Sequence, residues 1–178
     1  QRDIQNFNMD FGLHHPRFRD HKVKTKKAVP LGPHVMLDQE RCILCRRCVR
    51  FCNEVPKTGE LGVFRRGDES VLETFPGAEL DNPYSMNVAD ICPVGALLDK
   101  DFLFTQRVWF LKQTPSIDGL TASGDNIGIH HNQGRVYRIK PRRNLDVNQW
   151  WISDEIRYGW QFVHSEDRLH EPKRMQLG

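Results

Sequence analysis

Apolar residues recur at Ile4, Phe7 and Phe11. That helical spacing predicts a first helix within residues 1–13, ending at Gly12. From Pro16 to Lys27 periodicity gives way to a basic, irregular run, read as a solvated connector, with an anion-binding arm as the alternative. Pro30 and Pro33 mark a loop, and residues 34–37 predict a short strand. Residues 46–55 read as a helix stopped by Pro56. Residues 61–64 and 71–75 read as strands joined by an R-G-D-E turn. A short helix follows at 85–91, and 94–104 passes through a turn into another helix. Residues 107–112 are strand-like, while 127–131 and 135–139 predict a hairpin over Asn132-Gln133-Gly134. The pattern closes with a helix at 153–163, capped by Ser153 with Asp154 and Glu155 in its first turn. Trp150, Trp151 and Trp160 are core or interface anchors, and the charged tail from His164 is loosely ordered. The expected class is α+β.

The chain has 178 residues, 38% of them hydrophobic, and a formal net charge of +3. Its length allows one large or two small domains. Mean hydropathy is −0.61, so the cores are modest and a bound metal group would carry a real share of the folding energy. The charge is too mild to argue for nucleic acid. No apolar run approaches the ~20 residues a membrane span needs, and no signal peptide is visible. G-x-G-x-x-G and P-loop patterns are absent, so this chain is not expected to bind NADH or ATP itself. Adjacent His130 and His131 fall on opposite faces of a strand, which keeps them from chelating one metal together. They read as surface histidines.

The chemistry lies in the cysteines. Four of the five fall within residues 41–52, R-C-I-L-C-R-R-C-V-R-F-C, and the fifth, Cys92, is followed at once by Pro93. Cys42, Cys45, Cys48 and Cys52 repeat the bacterial ferredoxin spacing C-x2-C-x2-C-x3-C, and a remote Cys-Pro supplies a further ligand. Two-residue gaps let the backbone wrap a cube face while each thiolate points at a different iron. The spacing therefore predicts one [4Fe–4S] cluster on Cys42, Cys45, Cys48 and Cys92. Structural zinc is the competing reading, although it favours two ligand pairs separated by a loop. Disulfides fit poorly with cysteines three apart in one turn and with an odd total. Reduced thiols and an oxygen-sensitive group suit a reducing compartment.

A two-cluster ferredoxin carries this run twice, and the Cys of each Cys-Pro ligates the other cluster. The positions that would complete a second run, 82, 85 and 88, hold Asn82, Ser85 and Val88. Cys52 is thus left without a cluster, and the module reads as a ferredoxin with one of two clusters deleted. Arg41, Arg46, Arg47 and Arg50 crowd the loop. Cations there favour the reduced cluster and raise its potential, with one or two tuning it and the rest on the surface.

Arg41–Val49, L-G-V-F-R-R-G at 61–67, D-I-C-P-V-G-A-L at 90–97 and W-I-S-D at 151–154 together resemble the large Fe–S subunit of respiratory complex I (NADH:quinone oxidoreductase). Related modules occur in NAD-linked hydrogenases and formate dehydrogenases. The resemblance implies a ferredoxin-like cluster domain at 34–104. A β-rich segment at 105–163, similar to the Fe–S domain of molybdopterin oxidoreductases, would follow it. Residues 1–33 would be a helix and connector, and 164–178 a tail. It also implies a peripheral arm on the cytoplasmic side of the membrane, without direct membrane insertion, and partner subunits carrying flavin, NADH and other Fe–S clusters. The family's N-terminal [2Fe–2S] domain and a His/Cys-ligated cluster would lie before Gln1, and most of its molybdopterin-like domain would lie beyond the chain. The sequence therefore reads as an inner fragment or a shortened subunit.

Some members carry a further [4Fe–4S] site spaced C-x2-C-x3-C-x27-C. That pattern falls on Asp118, Thr121, Asp125 and Ser153, and hard oxygen ligands suit a cubane poorly. The second segment is expected to hold no cluster. Three function classes are carried forward. The first is an electron-transfer subunit with no active site of its own. The second is an interaction module pinned by a redox-silent metal, and the third is a nucleic-acid binder whose basic arm touches phosphate.

Overall fold

The computed structural model describes residues 2–15, 17–21, 23–169 and 171. Pro16 and Lys22 of the basic run, the Ile4 side chain, and tail positions 170 and 172–178 lie outside the described residues. The chain divides into two compact units, Gln1–Leu103 and Phe104–Gly178.

The first unit opens with helix α1 (Arg2–Phe11), as its periodicity predicts. The basic run that follows contains no regular element among its described residues. Strands β1 (Val29–Pro30), β2 (Val35–Leu37) and β5 (Leu97–Asp99) form a three-stranded antiparallel sheet in that order. Val35 pairs with Asp99 and Leu37 with Leu97. Here the sequence expectation needs correcting. Residues 94–104 do not turn into a helix; they supply β5 and then turns. The apolar pair Leu97-Leu98 fits either period, and pairing with β2, sixty residues earlier in the chain, decides for strand.

Helix α2 (Arg47–Glu54) buries Cys48, Val49, Phe51 and Cys52 on one stripe, and Val55 caps it just before Pro56. Strands β3 (Leu61–Phe64) and β4 (Val71–Thr74) pair antiparallel around a short 3-10 turn at Gly67–Glu69. Helix α3 (Asn87–Ile91) begins two residues later than its pattern suggests, after a turn, and ends at Cys92. The core joins Val35, Leu37, Phe51, Leu61, Leu72, Leu80, Val88 and Leu97. Each such side chain contributes about 1.5–3 kcal/mol when fully buried.

In the second unit, β6 (Lys112–Ile117), β7 (Asn126–Asn132) and β8 (Arg135–Pro141) form an antiparallel meander. The predicted hairpin is present, with its turn at Gln133-Gly134. The strand expected at 107–112 is instead a 3-10 turn, Val108–Phe110, and β6 begins only at Lys112. Aromatic Trp109 and Phe110 suggest strand, but both are largely exposed and lie outside the three sheets formed among the described residues. Helix α4 (Asp154–Tyr158) is capped by Ser153 and tightens into a 3-10 turn, Gly159–His164, so the predicted helix is α only in its first half. Ile127, Ile139, Ile152 and Ile156 form the core, with Ile129 and Trp160 packed against it. Trp150 is 51% exposed and lies under the Arg143 guanidinium at 4.5 Å, so it is not a core anchor.

Candidate metal centre

The cysteine loop begins from a 3-10 turn, Gln39–Arg41, capped by the Asp38 carboxylate, which accepts from the Glu40 amide at 3.1 Å. The Gln39 side chain donates to the Leu72 carbonyl of β4 at 2.6 Å and accepts from the Leu72 amide at 3.4 Å. Buried, it ties the start of the loop to the hairpin. Leu44 and Arg46 then take left-handed backbone, with φ of 54° and 61°. That conformation costs a side-chain-bearing residue about 1–2 kcal/mol. Its effect is to fold residues 42–48 back on themselves and bring the Leu44 amide to 3.4 Å from Cys42 Sγ.

From the other side, α3 delivers Cys92 into a Pro93–Val94–Gly95 turn, with Gly95 at φ 63°. The Ala96 amide lies 3.4 Å from Cys92 Sγ. The Asp38 amide donates to the Ala96 carbonyl at 2.8 Å, so β2 and β5 zip together at the lip of the site.

These two loops line one recess. Cys42, Cys45, Cys48 and Cys92 all line it, among Leu37, Val63, Leu72, Val94, Ala96 and Leu97. Four soft donors, amides directed at two of the sulfurs and an apolar wall suit a group held by thiolates. Among the described residues, no three His, Cys, Asp or Glu side chains converge where a single ion would sit. A cubane instead gives each thiolate its own iron. Burial raises the Cys42 thiol, and it pushes Cys48 up to about 11. To bind a metal, these two thiols would have to lose their protons, so loading would release protons.

Cys52 does not line this recess. It is wholly buried, and burial, with Glu60 and Cys48 adding to it, pushes its thiol up to about 12. Asn82, Ser85 and Val88, at the positions of a second cysteine run, are all buried. The Asn82 side-chain amide donates to Glu60 at 2.7 Å, and the Ser85 amide donates to the Asn82 carbonyl at 2.9 Å.

In the second unit, the Asp118 carboxylate accepts from the Leu120 amide at 3.0 Å, the Thr121 amide at 2.9 Å and the Thr121 hydroxyl. The Asp118 amide donates to the Asp125 carbonyl at 2.8 Å, and Ser153 Oγ accepts from the Ile156 amide at 3.3 Å. Burial pushes the Asp118 carboxyl up. The hydrogen bonds from Thr121 and Leu120 outweigh that and hold it below its ordinary value. His130 and His131 are partly exposed, and the strand register shifts between them. His130 Nδ1 accepts from Arg138 Nε at 3.3 Å, and His131 Nε2 lies 2.9 Å from the Thr114 hydroxyl.

The cysteine spacing points to this site and the clustered arginines to Arg41 beside it, but Asp38 and Gln39 carry no such signal as its supports.

Residues 32–98 match the family model described as NADH-quinone oxidoreductase subunit 3, ferredoxin-like domain. Residues 111–161 match that described as NADH-ubiquinone oxidoreductase NDSU1/NuoG-like, 4Fe-4S domain. Three curated relatives illustrate the likeness. The 78 kDa subunit of mitochondrial NADH-ubiquinone oxidoreductase of Neurospora crassa is 42% identical over 88% of this chain and 21% of its own length. The 75 kDa subunit of NADH-ubiquinone oxidoreductase of Reclinomonas americana is 41% identical over 96% of this chain and 24% of its own. The corresponding 78 kDa mitochondrial subunit of Candida albicans is 41% identical over 96% and 24%. The chain spans about a fifth to a quarter of the length of the curated relatives it matches.

Proposed function

Because this chain belongs to the NuoG-like large Fe–S subunits of complex I, whose cofactor is [4Fe–4S], we propose that it carries electrons one at a time through a single cluster held by Cys42, Cys45, Cys48 and Cys92. The observation that carries this reading is the convergence of those four thiols, from segments forty residues apart, on one apolar recess. When bound, a [4Fe–4S] group supplies reversible one-electron storage without a substrate or a leaving group. The chain's own part is to hold and insulate it. Leu37, Val63, Leu72 and Leu97 keep water from the inner wall. The Leu44 and Ala96 amides, directed at Sγ of Cys42 and Cys92, stabilise negative charge on sulfur. The Arg46–Cys48 end of α2 lines the recess, so the positive end of that helix favours the reduced state.

On this reading the ferredoxin-like domain covers 34–104. Residues 105–163 are a β-rich relative of the molybdopterin-oxidoreductase Fe–S domain that has lost its cluster. Asp118, Thr121 and Ser153, three of the four positions a cluster would need, are committed to hydrogen bonds within the unit. The partners are the flavin- and NADH-bearing subunit and other Fe–S subunits of a complex I-type assembly. The place is the assembly's peripheral arm, on the cytoplasmic side in a bacterial cell. No helix among the described residues is long and apolar enough to cross a membrane.

Iron and sulfide analysis of the anaerobically purified 178-residue chain, with low-temperature EPR after dithionite, tests the reading. About four irons and a reversible signal are expected from one cubane. A redox-silent metal would replace the electron carrier with a structural module, and about eight irons would place a second cluster in 105–163. The alternative assemblies, an NAD-linked hydrogenase or a formate dehydrogenase, are separated by the chains that co-purify.

A further inference from the structure

The recess is closed by two segments that the sequence keeps far apart, and one side chain spans them. Arg41 directly precedes Cys42. Its Nε lies 3.0 Å from Asp38 Oδ2, and its Nη1 donates to the Gly95 carbonyl at 3.4 Å. Gly95 is in the left-handed turn between Cys92 and Ala96, and the Ala96 amide is the group directed at Cys92 Sγ. Asp38 is buried and already committed. Its carboxylate caps the turn that leads into Cys42, and its amide holds the Ala96 carbonyl. Arg41 thus extends the Asp38 anchor across the lip, from the Cys42 segment to the Cys92 segment.

We propose that Arg41 is a positioning residue for the cluster, a strut that fixes the Cys92 turn relative to Cys42. This rests on the ligand set proposed above. The fork geometry is essential. A guanidinium presents donors in a fixed plane and can hold a carboxylate and a carbonyl at once, whereas a lysine ammonium offers a mobile point charge. The guanidinium also places a fixed positive charge one residue from a ligand. It opposes the negative charge gained on reduction and holds the potential up. Arg41 is about half exposed, so screening moderates its strength without changing its direction. Exposed Arg50, on the outer side of α2, has the same charge but no place in this strut.

The test uses the full chain, reconstituted anaerobically, as wild type, Arg41→Gln, Arg41→Lys, Asp38→Asn, the Arg41→Gln/Asp38→Asn double variant and Arg50→Gln. Iron release to a ferrous chelator, midpoint potential and reduced EPR spectrum are read for each. Arg41→Gln should release iron roughly three- to tenfold faster, the range expected for losing a partly screened charged hydrogen bond. Its potential should fall and its EPR lines broaden, as the Cys92 turn samples more geometries. Arg41→Lys should restore most of the potential but not the release rate, because charge alone does not span the lip. The double variant should release iron no faster than the faster single variant, since both break one strut. Arg50→Gln should release iron at the wild-type rate. Wild-type release and potential in Arg41→Gln would overturn the proposal, as would full rescue of the release rate by lysine or additive effects in the double variant. A wild-type chain that takes up no iron would overturn the ligand set itself, and the two failures are told apart by that first measurement.

Discussion

The turn at 42–48 and the turn at 118–125 both use left-handed backbone and end in opposite chemistry. Both fold tightly on left-handed residues, Leu44 and Arg46 in one and Gly124 in the other. In the first, the Leu44 amide points at the Cys42 sulfur and the thiols face a recess. In the second, the Asp118 carboxylate takes up the nearby amides and the Thr121 hydroxyl itself. The difference lies in where polar capacity is satisfied. A turn whose donors are met from within is finished when it folds. A turn in which burial raises the Cys42 and Cys48 thiols above their ordinary range would, on the reading proposed above, be completed by a guest that removes their protons.

The largest effect should come from Cys45→Ser. It should abolish iron binding and strip hydrogen-exchange protection from residues 32–98 while leaving 111–161 protected, because a small polar unit leans on its metal. Retained iron with unchanged protection would erase the contrast between the two turns. Asp118→Ala should cost the second unit about 1–3 kcal/mol, since two amides and a hydroxyl lose their acceptor, with no change in iron content; chemical denaturation followed by Trp fluorescence measures it. Ser153→Ala should cost about 1 kcal/mol as a lost helix cap, again without loss of iron. Cys52→Ala should keep the full iron complement and cost roughly 1 kcal/mol or less, as a small buried hydrophobe trimmed by one atom. Iron lost from Cys52→Ala but kept in Cys92→Ala would reverse their roles.

Acid sharpens the comparison further. The Asp118 carboxyl is held below its ordinary value in the folded chain. Its contribution is therefore fully present above the unfolded pKa of about 3.9 and is lost as pH falls through the lower folded value. Asp118→Asn should flatten the acid limb of second-unit stability below about pH 4, and an unchanged limb in a pH-titrated melt would remove Asp118 from the account.

Much of the centre was legible because spacing along a chain is covalent information. Cys42, Cys45 and Cys48 sit in one turn, and Cys-Pro marks the remote partner without any fold. The helix at 47–54 was legible for the same local reason, an apolar stripe ended by Pro56. Strand β5 was not, because Leu97-Leu98 becomes strand only when Val35 and Leu37 arrive to pair with it. The bond between Gln39 and Leu72, thirty-three residues apart, leaves no periodic trace, nor does the reach of Arg41 to Gly95. Trp109 and Phe110 misled because aromatic content is a β signal only where a neighbouring strand exists.

The antiparallel zipper between Val35–Leu37 and Leu97–Asp99 has a consequence for biogenesis. Three thiols are assembled by local chain, but the fourth reaches the recess only after a long loop carrying α2, the β3–β4 hairpin and α3 has closed. Closing such a loop is the slow, entropically costly step of folding. On the ligand set proposed above, cofactor insertion would be completed only on a chain that has passed it. On the same reading, a newly made polypeptide that stalls before that closure would offer three corners of a cube, and a delivery system reading the fourth would be inspecting the tertiary fold.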